Sequence, residues 1–432
     1  MNTPKGFVFE EASGGVEAYR LEDNGLQTLL LQDATAPVAT FMITYRVGSR
    51  HEPEGLTGAC HFLEHLMFKG SARFNKQAGT SVFNVLQRVG ARVNATTWLD
   101  RTNYYEMLPG EHLPLAVEIE ADRMRGALLQ DEDMERERTV ILNELDRGEN
   151  DPVRKLFHEV WAAAFTVHPY HHPVIGWRGD VERLTPDGLR HFYDTYYRPD
   201  NATVSIIGDF DKTEVLELVH RHFGKIPNPE EALPAIHVRE PAQEKERRVI
   251  VRKAGWQGAV MVAWKSPRGL EADTDALDML SAILSAGKNG RLYRRLTDTG
   301  ITTSAWGGVS RFCDPGLAYV FARPSPDKTH EEVEAAIHAA VNEIKESGIT
   351  EEELQRARNQ RKAQAAFSRD GSFSAAAELN EAIAAGDWKL YTTMQDRINQ
   401  VTGAHIQRVA QEYFVENSCT TGYYIPDAEA SS

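Results

Sequence analysis

The chain has 432 residues, 41% of them apolar, which is too much for one ordinary core, so two to four domains are expected. A net charge of −15 excludes a nucleic-acid partner, which calls for a basic stripe, and three cysteines exclude a closed disulfide set. No stretch approaches the ~18 apolar residues of a membrane span, and residues 1–10 lack the apolar run of a secretory signal, so no membrane partner and a cytoplasmic location are expected, or a periplasmic one if a signal was removed ahead of this numbering.

In chain order, residues 38–47 alternate as a strand does. Residues 57–69 follow as a helix apolar nearly all round, with Thr57 as its expected N-cap, and such a helix is buried. Within it, His61-Phe-Leu-Glu64-His65 stacks two imidazoles one turn apart with a carboxylate beside them. Two neutral imidazoles can grip one Zn²⁺, and Glu64 is then set to take a proton from a water at that site; desolvating these groups is costly unless a metal compensates. Residues 92–98 follow the Gly90 turn as a β-prone run, a candidate edge for an extended substrate. Residues 131–149 form an acidic helix in which Met134, Glu137, Val140, Ile141, Glu144 and Leu145 share one face, while Glu132, Glu135 and Asp146 point elsewhere. Catalytic zinc takes three protein ligands, and Glu144 is the candidate for the third.

Farther on, His168, His171 and His172 sit between prolines and read as a rigid loop. Residues 230–246 are polar and proline-rich and read as a linker between domains 1–229 and 247–432. These halves repeat at an offset of about 220 residues: residues 184–197 parallel 401–414, and the acidic helix overlays residues 350–357, where Thr350 and Glu353 make a capping box. The chemistry does not repeat. Ser281, Leu284 and Ser285 overlay His61, Glu64 and His65, and Ala357 and Gln364 overlay Glu137 and Glu144, so only the first half can hold the metal. Residues 285–293 lack the order of a phosphate cradle, and nothing forms a Ser-His-Asp or Cys-His arrangement. The pattern implies an α+β fold of two similar domains, each a mostly antiparallel sheet with helices on one side.

His61-Phe-Leu-Glu64-His65-Leu-Met-Phe-Lys-Gly, with Glu144 79 residues beyond His65, resembles the inverzincin peptidases of the pitrilysin and mitochondrial processing peptidase family. Asn24-Gly25-Leu26, Val47-Gly48-Ser49 with Glu52, His168-Pro-Tyr170, Val174-Ile-Gly176 and Tyr196-Tyr-Arg-Pro199 with Asn201 extend the likeness along the chain. The resemblance implies a clam shell of two domains around a peptide, with zinc on His61, His65 and Glu144, Glu64 as catalytic base and Glu137 supporting the site. It also implies that Asn94 and Ala95 bind substrate backbone. Gly290-Arg291-Leu-Tyr293 matches the segment carrying a substrate-binding Arg, but Thr303 stands where the family often has a Tyr. The expected function is a zinc-dependent endopeptidase acting on peptides or unfolded segments. It is expected to be a dimer, in the heterodimeric form with a homologous subunit that supplies the missing grip. The alternatives are a non-catalytic scaffold subunit, which tends to lose the motif, and a zinc-dependent peptide-binding module.

Overall fold

Strand-forming runs fall where alternation and β-branched residues concentrate, and a computed structural model describes residues 4–255 and 257–427. The chain forms two compact units. The first holds a seven-stranded sheet of β1 (Phe7–Ser13), β2 (Val16–Leu21), β3 (Gln27–Gln32), β4 (Val38–Tyr45), β5 (Arg92–Thr97), β6 (Thr102–Pro109) and β7 (Ala202–Gly208), in the order β1-β2-β3-β7-β4-β6-β5. The second holds β8 (Arg247–Ala254), β9 (Ala259–Ser266), β10 (Thr302–Val309), β11 (Gly316–Pro324) and β12 (Cys419–Asp427), in the order β10-β11-β9-β12-β8.

The repeat read from sequence is a repeat of topology. The order β3-β7-β4-β6-β5 maps strand for strand onto β8-β12-β9-β11-β10, and in each sheet one pair, β3 with β7 or β8 with β12, is parallel while the rest are antiparallel. The α+β class with two helix-packed sheets is what the structure has.

The units are not contiguous halves. The first comprises residues 1–145, 173–237 and 367–392, and the second comprises residues 146–172, 238–366 and 393–432. Helix Ser372–Ala385 packs on β4, β6 and β7, and its counterpart in the repeat, helix Pro152–Ala164, packs on β8, β9 and β12. Each sheet therefore carries helices on both faces of its central strands, not on one side as alternation suggests. On β4, Phe41, Ile43 and Tyr45 enter the main core, while Thr40 and Thr44 on the other face bond to Ser372 at 2.9 Å and Asn380 at 2.8 Å. A threonine face satisfied by a covering helix has the same sequence pattern as one satisfied by water. In the second sheet Gly422 makes room for the covering helix, since a Cβ there would lie 2.3 Å from Val160.

Among the described residues no helix is long and apolar enough to cross a membrane.

Candidate active site

Helix Ala59–Leu66 buries Cys60, Phe62, Leu63 and Leu66 and leaves His61, Glu64 and His65 on its one partly open side. Its N-terminus is built differently from the expectation. The N-cap is Gly58, in the left-handed region at φ 90°, with no side-chain bond of its own. Instead the Glu52 carboxylate reaches in from the preceding turn and accepts from Gly58 N at 2.8 Å and Cys60 N at 2.7 Å. Burial pushes the Glu52 acid up to about 8, against these amide bonds. Thr57 is not the cap: its hydroxyl donates to Asp180 at 2.7 Å and accepts from Trp177 N at 2.9 Å, tying the helix to the 174–180 segment. Gly176 permits that approach, because a Cβ there would meet Thr57 O at 2.4 Å.

Glu144 comes to this helix from helix Asp131–Glu149, which buries Met134, Glu137, Ile141 and Leu145. The buried stripe is narrower than periodicity suggests, since Val140 is 47% exposed and the Glu144 side chain 43% exposed. Glu144 Oε2 lies 3.7 Å from His61 Nε2 and 3.8 Å from His65 Nε2, and one ligand atom from each of the three residues falls within 4.8 Å of the others. Ligands on tetrahedral zinc at bonds of about 2.0–2.1 Å stand roughly 3.4 Å apart, so the two Glu144 separations are near that spacing and these three residues could hold the metal after drawing together. Burial, followed by the neighbouring His65, pushes His61 down to about 3, so its imidazole is in the neutral, ligating form. Among the described residues no other trio of His, Cys, Asp or Glu side chains meets at ligand distance.

Behind the trio, Glu137 Oε2 is 3.0 Å from His65 Nδ1, and its other oxygen pairs with Lys69. That contact fixes which His65 nitrogen faces Glu144. Glu137 sits behind the imidazole, in a supporting position. Glu64 stands beside the trio, its acid raised chiefly by burial and lowered by a hydrogen bond from Thr97 Oγ1 to Oε2 at 2.6 Å.

Asn94 and Ala95 lie on β5, the last strand of its sheet, paired to Tyr105 and Tyr104 of β6. Ala95 faces inward and Asn94 outward. The helix that carries His61, Glu64 and His65 packs on this strand, and Glu64 is bonded to Thr97 at its end. Arg101 braces the strand: its guanidinium donates to Thr96 O at 3.1 Å, Thr96 Oγ1 at 2.6 Å and Glu381 at 2.5 Å.

Arg291, expected to grip substrate, lies in the interior of the second unit. It donates to both Glu353 oxygens at 2.9 and 2.8 Å and to Gly348 O at 2.9 Å, closing off the N-terminus of helix Glu351–Phe367. The half-buried carboxylate of Glu353, which also pairs with Arg294 and serves the Thr350 cap, takes up the guanidinium. Thr303 lies exposed on β10, bonded to Gln257 at 2.9 Å.

Sequence reasoning passed over Thr97, Lys69 and the helix-capping role of Glu52. For Thr97 a signal existed. Period-two alternation puts it on the same face of β5 as buried Ala95, and a hydroxyl on an inward face needs a partner.

Residues 27–177 match the insulinase family (peptidase family M16), and residues 183–361 match the peptidase M16 inactive domain. The zinc protease PqqE of Helicobacter pylori is 30% identical over 412 residues, spanning 93% of this chain and 91% of that protein. The crystal structure of a protease from Helicobacter pylori matches with a TM-score of 0.90 at 29% identity, covering 95% of this chain and 99% of that one. The mitochondrial-processing peptidase subunit beta of Lentinula edodes is 24% identical over 418 residues, covering 90% of this chain and 86% of that one. With a metal-ligand trio in the half that matches the peptidase domain and no such trio described in the half that matches the inactive domain, this chain belongs to peptidase family M16.

Proposed function

We propose that this chain is a zinc-dependent endopeptidase that hydrolyses peptides or unfolded segments. The observation that carries the reading is the convergence of His61 Nε2, His65 Nε2 and Glu144 Oε2 beside Glu64 and along a sheet edge. His61, His65 and Glu144 would hold Zn²⁺, and Glu137 fixes the His65 ring. When bound there, zinc supplies Lewis-acid polarisation of a carbonyl and lowers the pKa of water toward neutrality. The substrate adds as a strand beyond β5, where backbone groups of Asn94 and Ala95 set its register. Glu64 takes the proton that the attacking water loses and delivers it to the leaving amine nitrogen, so the water oxygen ends on the acyl carbon and no proton is left over.

The test pairs turnover of a quenched peptide with metal analysis. Glu64→Gln should abolish turnover while keeping about one zinc per chain, whereas Glu144→Gln should lower zinc retention. Equal zinc loss in both variants would reverse the assigned roles, and turnover that persists in chelator would defeat the reading.

A partner follows from the second unit. The Arg291 guanidinium is taken up by Glu353, and Thr303 replaces the expected tyrosine, so this half offers an incomplete substrate grip. A homologous subunit would complete it in a heterodimer, an arrangement for which a relative named as a subunit offers a parallel. Full turnover by the isolated chain, whatever its oligomeric state, would sink the partner.

A further inference from the structure

We propose that Thr97 is a positioning residue for the catalytic carboxylate: its hydroxyl anchors Glu64 Oε2 and leaves Oε1 as the oxygen that meets the proton of the attacking water. This rests on the reading of Glu64 as the base and adds a residue to it. Thr97 Oγ1 donates to Oε2 at 2.6 Å, and among the described residues it is the one hydrogen-bond partner of the Glu64 side chain. The last torsion of a glutamate is broad, so a carboxylate without an anchor samples many orientations. Proton transfer needs one oxygen held at hydrogen-bonding distance, and small misplacements there cost catalysis steeply.

The anchor is itself fixed. Threonine is β-branched and stiff about χ1, so its hydroxyl direction follows from its backbone. Thr97 ends β5 opposite Thr102, whose hydroxyl donates to Val47 O at 2.9 Å. The turn between them closes through Trp98 N to Arg101 O at 2.8 Å. Trp98 O and Leu99 O then accept from Ser49 N at 3.1 Å and Arg50 N at 2.9 Å. Gly48 allows this contact, because a Cβ there would lie 2.2 Å from Trp98 O. The Val47-Gly48-Ser49 segment thus has a use in catalysis without touching the trio: it clamps the turn that aims the Thr97 hydroxyl.

Thr97→Val keeps shape and branching and removes the donor, whereas Thr97→Ser keeps the donor. In the zinc-loaded protein, with its partner subunit if one copurifies, Thr97→Val should lower kcat on a quenched peptide by about 10- to 100-fold, the worth of one bond to a charged group. KM should stay within about twofold and zinc content should not change, while Thr97→Ser should recover most of kcat. In crystals of the metal-free proteins, Glu64 should keep its orientation in Thr97→Ser and lose it in Thr97→Val. A Thr97→Val protein with unchanged kcat, a Thr97→Ser protein as impaired as Thr97→Val, or a Thr97→Val protein that loses zinc or melts early would each overturn the positioning role. Glu64→Gln serves as the control. If it remains active the base reading itself fails; if it is dead while Thr97→Val is normal, only this inference fails.

Discussion

Replacing Lys265 by Met should stabilise this protein, and by more in acid than in base. Lys265 lies on β9 with its Nζ buried, lacking a hydrogen-bond partner, and 3.2 Å from the centroid of the Phe165 ring. Burial pushes its pKa from 10.5 down to about 7, against the attraction of Glu240 and with the repulsion of Arg247. Between those two values the unfolded chain binds a proton that the folded chain does not, so stability rises with pH through the window from about 7 to 10.5 and the full penalty is present below pH 7. At about 1.4 kcal/mol per pKa unit the displacement corresponds to roughly 5 kcal/mol, and the ring face returns up to about 2, leaving about 3 kcal/mol. Lys265→Met keeps the length and removes the charge, so it should gain about 3 kcal/mol at pH 6, with the advantage shrinking as pH rises toward 10. Urea unfolding of both proteins at pH 6, 8 and 10, followed by tryptophan fluorescence, measures this. A variant less stable than the parent at pH 6, or a gap constant across the series, would refute the reasoning.

Gly48→Ala forces the 97–102 turn away from the 47–50 segment, so it should cost about 1–3 kcal/mol in thermal stability and at least tenfold in kcat, seen together in melting and peptide assays. Arg291→Met takes the two Arg291 bonds from the half-buried Glu353 carboxylate and leaves it the Arg294 contact at 3.2 Å; about 1–3 kcal/mol of stability should be lost while KM and zinc content hold, and a raised KM in a protein of unchanged melting temperature would restore Arg291 as a substrate residue. Glu137→Gln removes the Lys69 ion pair and weakens the hold on His65, which should lower zinc affinity about 10- to 100-fold in a competition titration.

The parts of the site legible in the sequence are those that helical periodicity controls. The spacing of His61, Glu64 and His65 makes them neighbours whatever else the chain does, and the two-turn separation of Glu137 from Glu144 gives each a place on one stripe. Which of the two glutamates approaches the imidazole Nε2 atoms and which lies behind His65 depends on how two helices cross, and that is set by packing. The exchange of helices between the sheets was hidden for a related reason. Helix Ser372–Ala385 is rich in alanine and serine, and nothing in that composition says that Ser372 and Asn380 meet the buried threonine face of β4.

The two halves share one topology, so what separates them shows which residues the fold needs and which it merely tolerates. Helix Ala272–Ser285 occupies in the second sheet the place of the metal helix, and there the residues overlaying His61, Glu64 and His65 are Ser281, Leu284 and Ser285, the last of which accepts from Gly307 N at 2.7 Å. Small or apolar side chains suffice at those positions for this architecture. In the first sheet the same positions carry two imidazoles and a carboxylate, with His61 Nδ1 and Nε2 both buried or turned toward Glu144 and Glu64 raised by burial. Burying such groups costs free energy that stability alone does not require. A chain that keeps them, surrounds them with Glu137, Lys69 and Thr97, and caps their helix with a buried Glu52 accepts that cost, as the proposed zinc site would require, and the half without them supplies the same fold at lower electrostatic cost.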